Sequence, residues 1–247
     1  MSGPPDHVDL VVIGGGPGGY TAAFRAADLG LSVAIVERHS KIGGVCLHVG
    51  CIPSKALLYA ARILAEVEHA RTIGIEFGEP QIDAPMLRRA TTEVVDRLAA
   101  GLDGLARRRG VAVVRGTGRL ASDHELAVET ADGRRTITFA HCIIAVGSEP
   151  ARPPGIPEDP RIMDSEGALA LEEVPERLMI VGGGIIGLEM ATVYEALGSR
   201  VTVVEMLDRL IPGCDPDLVA PLRARIDPRY EAIHLGTRVA GVEADGA

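Results

Sequence analysis

The sequence has very few aromatic residues, with no tryptophan, four tyrosines and three phenylalanines among 247 residues. Proteins that bind single-stranded nucleic acid stack aromatic rings on the bases, and binding to the phosphate backbone requires a basic surface. Here 25 basic residues are outnumbered by 34 acidic ones, so the net charge is −9. We therefore expect no nucleic-acid partner.

Long apolar runs and the sequence features of a leader peptide are also missing from the residues given. No uninterrupted apolar run approaches the length of about 18 residues that a membrane span needs, and Met1–Asp9 has neither a basic region nor an apolar signal core. These absences predict a cytoplasmic protein that does not contact a membrane. Apolar residues make up 47% of the chain, which excludes an intrinsically disordered protein.

Glycine is abundant, with 30 residues, and many of the glycines belong to an internal repeat. A shift of 168 residues aligns 10–16 with 178–184 without a gap, and it also aligns Gly19 with Gly187, Gly30 with Gly198 and Glu37 with Glu205. Each copy is an apolar run, a glycine cluster, a helical pattern of about a dozen residues and a second apolar run, which is typical of a strand–turn–helix–strand unit in a parallel sheet. Pro17 is placed to open the first helix, and Gly30 and Gly198 to end theirs.

The remaining segments complete the predicted architecture. We expect helices at Pro53–His69, at Ala84–Arg109 and near Leu218–Ile226, an antiparallel meander over 111–146 with a turn at 131–133, a proline-rich crossover over 151–160, and short strands around Ile233 and Val239. The sequence therefore predicts an α/β fold with two doubly wound, Rossmann-like domains, 1–150 and 151–247, of which the second is incomplete.

The first glycine cluster has the spacing of a dinucleotide-binding turn. Gly14, Gly16 and Gly19 follow a predicted strand and open a predicted helix, and Glu37 ends the next strand. Glycines allow a pyrophosphate to approach the backbone at the positive end of the helix, and the terminal carboxylate accepts hydrogen bonds from an adenosine ribose. A tight turn without a ligand is the alternative, but the placement of strand, helix and acid favours a dinucleotide.

The second cluster repeats this arrangement with Gly182, Gly184, Gly187 and Glu205. A carboxylate that faces the ribose 2′-hydroxyl repels a 2′-phosphate, and residues 206–208 supply no arginine. The second site is therefore predicted to prefer NAD over NADP.

Two of the four cysteines, Cys46 and Cys51, lie five residues apart among glycines and a proline. On a regular helix these positions are about 8–9 Å apart, whereas a disulfide needs Cα atoms within about 7 Å. A bridge therefore requires a distorted backbone, which the glycines and proline allow. Two buried structural thiols are an alternative, and a zinc site is disfavoured because only His48 is nearby. Cys142 and Cys214 are interpreted as structural.

Lys55 follows the cysteines. If Pro53 is the first helical residue, Lys55 lies in the first turn, where a cation opposes the helix dipole. Such a locally unfavourable residue is often functional, and a solvated surface lysine is the alternative. Cys51 lies near the same predicted helix start, where a thiolate is expected to be stabilised.

The segment 43–55 closely resembles the active-site segment of the FAD-dependent pyridine-nucleotide disulfide oxidoreductases. Its Cys-Leu-His-Val-Gly-Cys-Ile-Pro-Ser-Lys core is most similar to the dihydrolipoamide dehydrogenase class of that family, and so are 164–171 and 174–190. The resemblance implies that domain 1–150 binds FAD and domain 151–247 binds NAD.

The resemblance also implies roles for individual residues. Cys51 is implied to be the thiol next to the flavin, and Cys46 the interchange thiol that meets dihydrolipoamide. Lys55 is implied to lie beside the flavin and to pair with Glu189. Further FAD contacts are implied for Gly118, Gly147 and Ser148.

The implied reaction has three steps. Dihydrolipoamide reduces the Cys46–Cys51 disulfide, electrons pass from Cys51 to the flavin, and a hydride passes to NAD⁺. The implied partners are a lipoyl domain of a 2-oxo acid dehydrogenase or related complex and a second copy of the complete enzyme.

The sequence departs from this pattern in a few places. His48 and Val146 stand where the family commonly has Asn and Thr, and His48 either perturbs the thiols or faces solvent. The chain ends before the family's later Gly-Asp motif, the last strand of its FAD sheet and its interface domain with a His–Glu pair, so we expect this chain alone to be inactive. A mercuric or glutathione reductase and a non-catalytic dinucleotide-binding fragment are the alternatives, although Glu205 opposes the NADP preference of glutathione reductase.

Overall fold

The computed structural model describes residues 6–152 and 155–244. The chain divides into two compact units, Met1–Ile52 with Thr92–Glu149, and Pro53–Thr91 with Pro150–Ala247. The assignment of FAD to 1–150 and NAD to 151–247 stays a prediction. Within the proposed crossover, Pro153 and Pro154 lie outside the described residues, as do Met1–Pro5 of the amino terminus.

The regular elements follow one another in an order that alternates strands and helices at both ends of the chain. They are β1 (His7–Ile13), α1 (Pro17–Asp28), β2 (Val33–Glu37), α2 (Gly44–Val49), α3 (Cys51–Ala70), a short 3₁₀ helix (Arg71–Ile73), α4 (Ala84–Arg108), β3 (Ala112–Arg115), β4 (Thr117–Leu120), β5 (Glu125–Thr130), β6 (Gly133–Ile144), α5 (Ser165–Ala170), β7 (Arg177–Val181), α6 (Ile185–Ala196), β8 (Arg200–Val204), α7 (Pro216–Ile226) and β9 (Ala232–His234).

The first unit contains a six-stranded sheet in the order β3-β2-β1-β6-β5-β4. Strands β3, β2, β1 and the second half of β6 are parallel, whereas β6, β5 and β4 are antiparallel. Successive side chains of a strand point to opposite faces, so the sheet has an apolar cluster on each face. Val12 and Ile35 pack with Phe24 of α1 and Ala106 of α4. Val11 belongs to the other cluster, with Val36, Val114, Leu126 and Ile137.

The meander predicted over 111–146 is wrong at both of its ends. Strand β3 pairs in parallel with β2, and β6 continues past its hairpin to pair in parallel with β1. Runs of consecutive apolar residues are typical of parallel strands that are covered on both faces, and 112–114 and 142–144 are such runs. The predicted turn at 131–133 is confirmed, because it joins β5 to β6.

The second unit contains a three-stranded parallel sheet in the order β7-β8-β9. Its core includes the buried residues Tyr194 and Leu188 of α6, Val203 of β8 and Ile226 of α7, together with Leu57 of α3. The helix predicted near 218–226 and the strand around Ile233 are confirmed. The strand predicted around Val239 is absent, because the chain turns after β9 at Gly236, which has φ +58°.

Local signals at the helix ends are confirmed. Pro17 is the first residue of α1, where its missing N–H costs no hydrogen bond. Gly30 follows the end of α1 with φ +91°, and Gly198 follows the end of α6 with φ +110°, a backbone region that favours glycine.

One helical segment, Gly44–Ile73, is long and apolar enough to cross a membrane by length and composition alone. The core helix of a soluble protein passes the same test, and this segment is interrupted at Gly50, where φ is −146° and ψ is −116°. The segment is not an uninterrupted apolar run, because it includes Lys55 and Arg62. Absence of membrane contact stays a prediction.

Candidate active site

The first glycine-rich turn connects β1 to α1. At Gly14 and Gly19 the backbone packs so closely that no side chain would fit. A Cβ atom on Gly14 would lie 2.1 Å from the main-chain oxygen of Ala145, and one on Gly19 would lie 1.9 Å from that of Gly14. Gly16 caps α1 without a side-chain hydrogen bond, and the first turn of α1 has no acidic residue. The first turn of α1 therefore supplies no anion of its own to the positive end of this helix.

Glu37 closes this turn from the end of β2. Its side chain is buried; Oε2 accepts a hydrogen bond from the N–H of Gly15 at 2.7 Å, and Oε1 accepts one from the N–H of His39 at 2.8 Å. A carboxylate offers about four acceptor positions, so these two hydrogen bonds leave its acceptor capacity half used. Its burial is offset by these charge-assisted hydrogen bonds.

The second glycine-rich turn has the same geometry. Glu205 is buried, and its two oxygens each accept a hydrogen bond at 2.7 Å, from the N–H groups of Gly183 and Leu207. A Cβ atom on Gly187 would lie 2.3 Å from the main-chain oxygen of Gly182. Gly184 caps α6, again with no acidic residue in the first turn.

The structural repeat extends further than the sequence alignment. The N–H of Gly43 donates to the oxygen of Gly15 at 2.7 Å, and 168 residues later the N–H of Ile211 donates to the oxygen of Gly183 at 3.0 Å. Gly43 has φ +128°, whereas Ile211 has φ +45°, which is unusual for a β-branched residue. Continued to Cys46, the same shift reaches Cys214.

These equivalences reveal residues that sequence reasoning missed. Gly15 and Gly183, the second residues of the two glycine clusters, supply the N–H groups that hold the acids. Ile42 and Leu210 pack closely against these two glycines. A Cβ atom added to Gly15 would lie 2.8 Å from a side-chain carbon of Ile42, and one added to Gly183 would lie 2.5 Å from a side-chain carbon of Leu210. The repeat could have revealed them, because the shift of 168 residues aligns Gly15 with Gly183 and Ile42 with Leu210.

The cysteine segment is a helix that breaks. Helix α2 contains Cys46 and ends at Gly50, and α3 begins at Cys51. A Cβ atom on Gly50 would lie 2.8 Å from the oxygen of Val45 and 3.2 Å from Cα of Cys46, so the chain folds back closely on the preceding turn. The distorted backbone that a bridge requires is therefore present. Cys46 is half-buried and Cys51 is exposed, and their pairing stays a prediction.

Lys55 lies in a different helical position from the one expected. Because α3 begins at Cys51 and not at Pro53, Lys55 is its fifth residue and lies beyond the first turn. Proline fits anywhere in a first helical turn, where N–H groups lack intrahelical acceptors. Lys55 Nζ lies 2.6 Å from Oε1 of Glu189, so the structure contains the ion pair that the resemblance implied.

The remaining candidate residues lie in two settings. Gly118 lies on β4, with the side chains of Val36 and Leu126 each 3.3 Å from where its Cβ would be. Gly147 and Ser148 lie in the exposed coil after β6. Their contacts with FAD stay a prediction.

His48 and Cys142 are the remaining side chains of interest. His48 does not simply face solvent: its Nε2 lies 3.0 Å from the main-chain oxygen of Ile42 in a partly buried position. Cys142, on β6, is half-buried, and burial raises the pKa of its thiol. Residues 6–152 and 155–244 contain no group of three or more His, Cys, Asp or Glu side chains that could hold a metal ion.

The two turns fit the pyrophosphate of a dinucleotide. A Cβ atom on Gly18 or Gly184 would meet no atom within 4 Å, so each helix start has open space beside glycine backbone. Backbone N–H groups and the helix dipole favour an anion at such a position. A buried acid lies beside each turn, and its hydrogen bond to a ribose stays a prediction.

Residues 8–247 match the pyridine nucleotide-disulphide oxidoreductase family. The chain belongs to this family. It is 52% identical over 237 residues to a dihydrolipoyl dehydrogenase of Haemophilus influenzae, covering 95% of this chain and 49% of the relative. It is 41% identical over 244 residues to a leghemoglobin reductase of Glycine max, covering 98% of this chain and 47% of the relative.

A solved structure agrees with this membership. The Cu(II) complex of the HOCl-induced flavoprotein disulfide reductase RclA from Escherichia coli superposes with a TM-score of 0.81 at 28% sequence identity, covering 99% of this chain and 52% of that one. The α/β fold of the family is thereby confirmed. Members of the family use FAD and NAD(H). The chain spans about half the length of the relatives it matches.

Proposed function

We propose that this chain forms the dithiol and dinucleotide-binding part of a flavin-dependent dihydrolipoyl dehydrogenase. The observation that carries the proposal is the helix break at Gly50, which starts α3 at Cys51 immediately after the close contact with Cys46. The hydrogen bond from Gly43 to Gly15 joins this cysteine segment directly to the first glycine-rich turn. A redox-active cysteine pair next to a dinucleotide turn is the arrangement that such an enzyme requires.

In this proposal residues 1–150 hold FAD and residues 151–247 hold NAD. Gly14 and Gly19 allow the close backbone packing of the turn, which brings the FAD pyrophosphate against the backbone of Gly16 at the start of α1. Glu37 accepts from the ribose. Gly118, Gly147 and Ser148 complete the FAD site. Bound FAD would supply an acceptor for the two electrons of the dithiol, and bound NAD⁺ would supply the final hydride acceptor.

In the second unit, Gly182, Gly184 and Gly187 receive the NAD pyrophosphate in the same way. The Glu205 carboxylate, with both oxygens already oriented by N–H groups, accepts from the ribose and repels a 2′-phosphate. Lys55, fixed by Glu189, supplies a positive charge one helical turn after Cys51.

The protein's own chemistry is thiol–disulfide exchange. One thiolate of dihydrolipoamide attacks Sγ of Cys46, the bond between the two cysteines breaks, and the electron pair remains on Sγ of Cys51. The second thiolate then attacks the mixed disulfide and releases Cys46 as a thiolate. Lipoamide leaves as a disulfide, and the protein holds the two electrons as a dithiol.

The proposal includes a lipoyl domain of a 2-oxo acid dehydrogenase or related complex as partner, a homodimer and a cytoplasmic location. Its support is the name that the similar bacterial relatives carry, dihydrolipoyl dehydrogenase. The predicted inactivity of this chain alone stays a prediction.

The half-reaction tests the proposal without requiring complete turnover. The oxidised protein is mixed with one equivalent of dihydrolipoamide, quenched with N-ethylmaleimide and mapped by mass spectrometry. We expect two new labels, on Cys46 and Cys51, and no reaction in Cys46→Ser or Cys51→Ser. Cys214→Ser is the matched control, because Cys214 occupies the equivalent position of the second repeat. A bridge that involves Cys142 or Cys214, or no bridge, would overturn the proposal.

A further inference from the structure

His48 lies between the two cysteines in sequence and makes a specific hydrogen bond. It is the fifth residue of the six-residue helix α2, and its Nε2 lies 3.0 Å from the main-chain oxygen of Ile42. Side chains of a helix point back toward its amino end, so a residue in the last turn can reach one that precedes the helix. A carbonyl oxygen only accepts hydrogen bonds, so Nε2 carries the proton and donates it.

The acceptor of this bond belongs to a rigid part of the first unit. The side chain of Ile42 is fully buried, and the next residue, Gly43, donates its N–H to Gly15 in the glycine-rich turn. Helix α2 itself is short, and Leu47 is its one buried residue among those that the structure describes. The His48 bond therefore attaches the end of α2, two residues before Gly50, to a fixed base.

We propose that His48 is a positioning residue for the cysteine pair. By donating to Ile42 it holds the last turn of α2, and so keeps Cys46 in close contact with Gly50 and within reach of Cys51. It acts as a hydrogen-bond donor and not through its charge. The inference rests on the proposed function, because it concerns the same two thiols.

Loss of the bond is expected to make the disulfide easier to reduce. With glutathione disulfide as oxidant, one S–S bond forms between the cysteines and one breaks in the oxidant, and the two thiol protons and two electrons end on two glutathione molecules. Without the His48 bond the dithiol form gains conformational freedom, so each thiol finds the other less often. A single hydrogen bond of ordinary strength corresponds to about a two- to tenfold change in this equilibrium constant.

The test compares His48→Ala and His48→Gln with the parent chain in buffers of reduced and oxidised glutathione, quenched by alkylation and measured by mass spectrometry. Glutamine places an amide N–H close to the position of Nε2–H but does not ionise. We expect His48→Ala to lower the constant for bridge formation about two- to tenfold, and His48→Gln to stay within about twofold of the parent. His141→Ala, at an exposed position, is the control for loss of an imidazole and is expected to change nothing.

Two results of this comparison would overturn the inference: an unchanged constant in His48→Ala, or a His48→Gln variant that behaves like His48→Ala, since the latter would assign the effect to ring ionisation. Hydrogen exchange over 44–50 provides a second measurement that does not depend on the disulfide. Faster exchange in His48→Ala but not in His48→Gln supports the positioning role, and equal rates contradict it. A parent chain that forms no Cys46–Cys51 bridge would instead overturn the proposed function, and hydrogen exchange would still decide whether His48 holds α2.

Discussion

Replacing Gly50 by alanine tests whether the close backbone contact at the helix break brings the cysteines together. The added Cβ would lie 2.8 Å from the oxygen of Val45 and 3.2 Å from Cα of Cys46, whereas ordinary contacts begin near 3.4 Å. Both opposing atoms belong to the backbone, so neither can rotate away. The turn must open by roughly half an ångström, and overpacking of this kind typically costs about 1–3 kcal/mol.

We expect Gly50→Ala to lower the free energy of unfolding, measured in urea, by about 1–3 kcal/mol. It should also weaken bridge formation between Cys46 and Cys51 in glutathione buffers. Gly101→Ala is the matched control: Gly101 lies in α4 with no atom within 4 Å of an added Cβ, so this variant should be about 0.5–1 kcal/mol more stable. If Gly50→Ala unfolded at the same urea concentration as the parent and kept its glutathione equilibrium, the contact would have no role.

Two further predictions concern the second nucleotide site and the buried thiol. Glu205→Ala should narrow the preference for NADH over NADPH, because it removes the charge that repels a 2′-phosphate; calorimetry with both nucleotides measures this, and an unchanged ratio would contradict it. In the fully reduced protein, Cys142 should react with iodoacetamide more slowly than Cys51 at neutral pH, because burial raises the pKa of the Cys142 thiol and the thiolate is the reactive form. Peptide mapping over a pH series measures both rates, and faster labelling of Cys142 at neutral pH would contradict the assignment.

Helix ends could be predicted because their signals are local. Pro17 and Gly30 specify their own backbone angles, so they mark the start and end of α1 without reference to the rest of the chain. Proline at the start of α3 was less decisive, since Pro53 is accommodated at the third helical position and the helix begins at Cys51. A proline near a helix start therefore predicts that a helix is present but not which residue is its first.

Strand pairing was less predictable because it depends on residues far apart in sequence. The apolar run at the end of β6 is compatible with a meander or with a parallel strand, and the distant partner β1 decides between them. At the site, the acids Glu37 and Glu205 could be recognised from their position after a strand. That each holds the second glycine of its own turn follows only when β1 and β2, or β7 and β8, lie side by side.

The buried carboxylates also affect the energetics of ligand binding at the two turns. Glu37 and Glu205 are each oriented by two N–H groups of the chain itself, so the fold alone sets the geometry of both turns. The conformational entropy of each turn is therefore lost when the protein folds and not when a ligand binds. Because binding then carries a smaller ordering cost, more of the contact energy contributes to affinity. Recognition at these turns is expected to proceed with little backbone rearrangement, close to rigid-body docking.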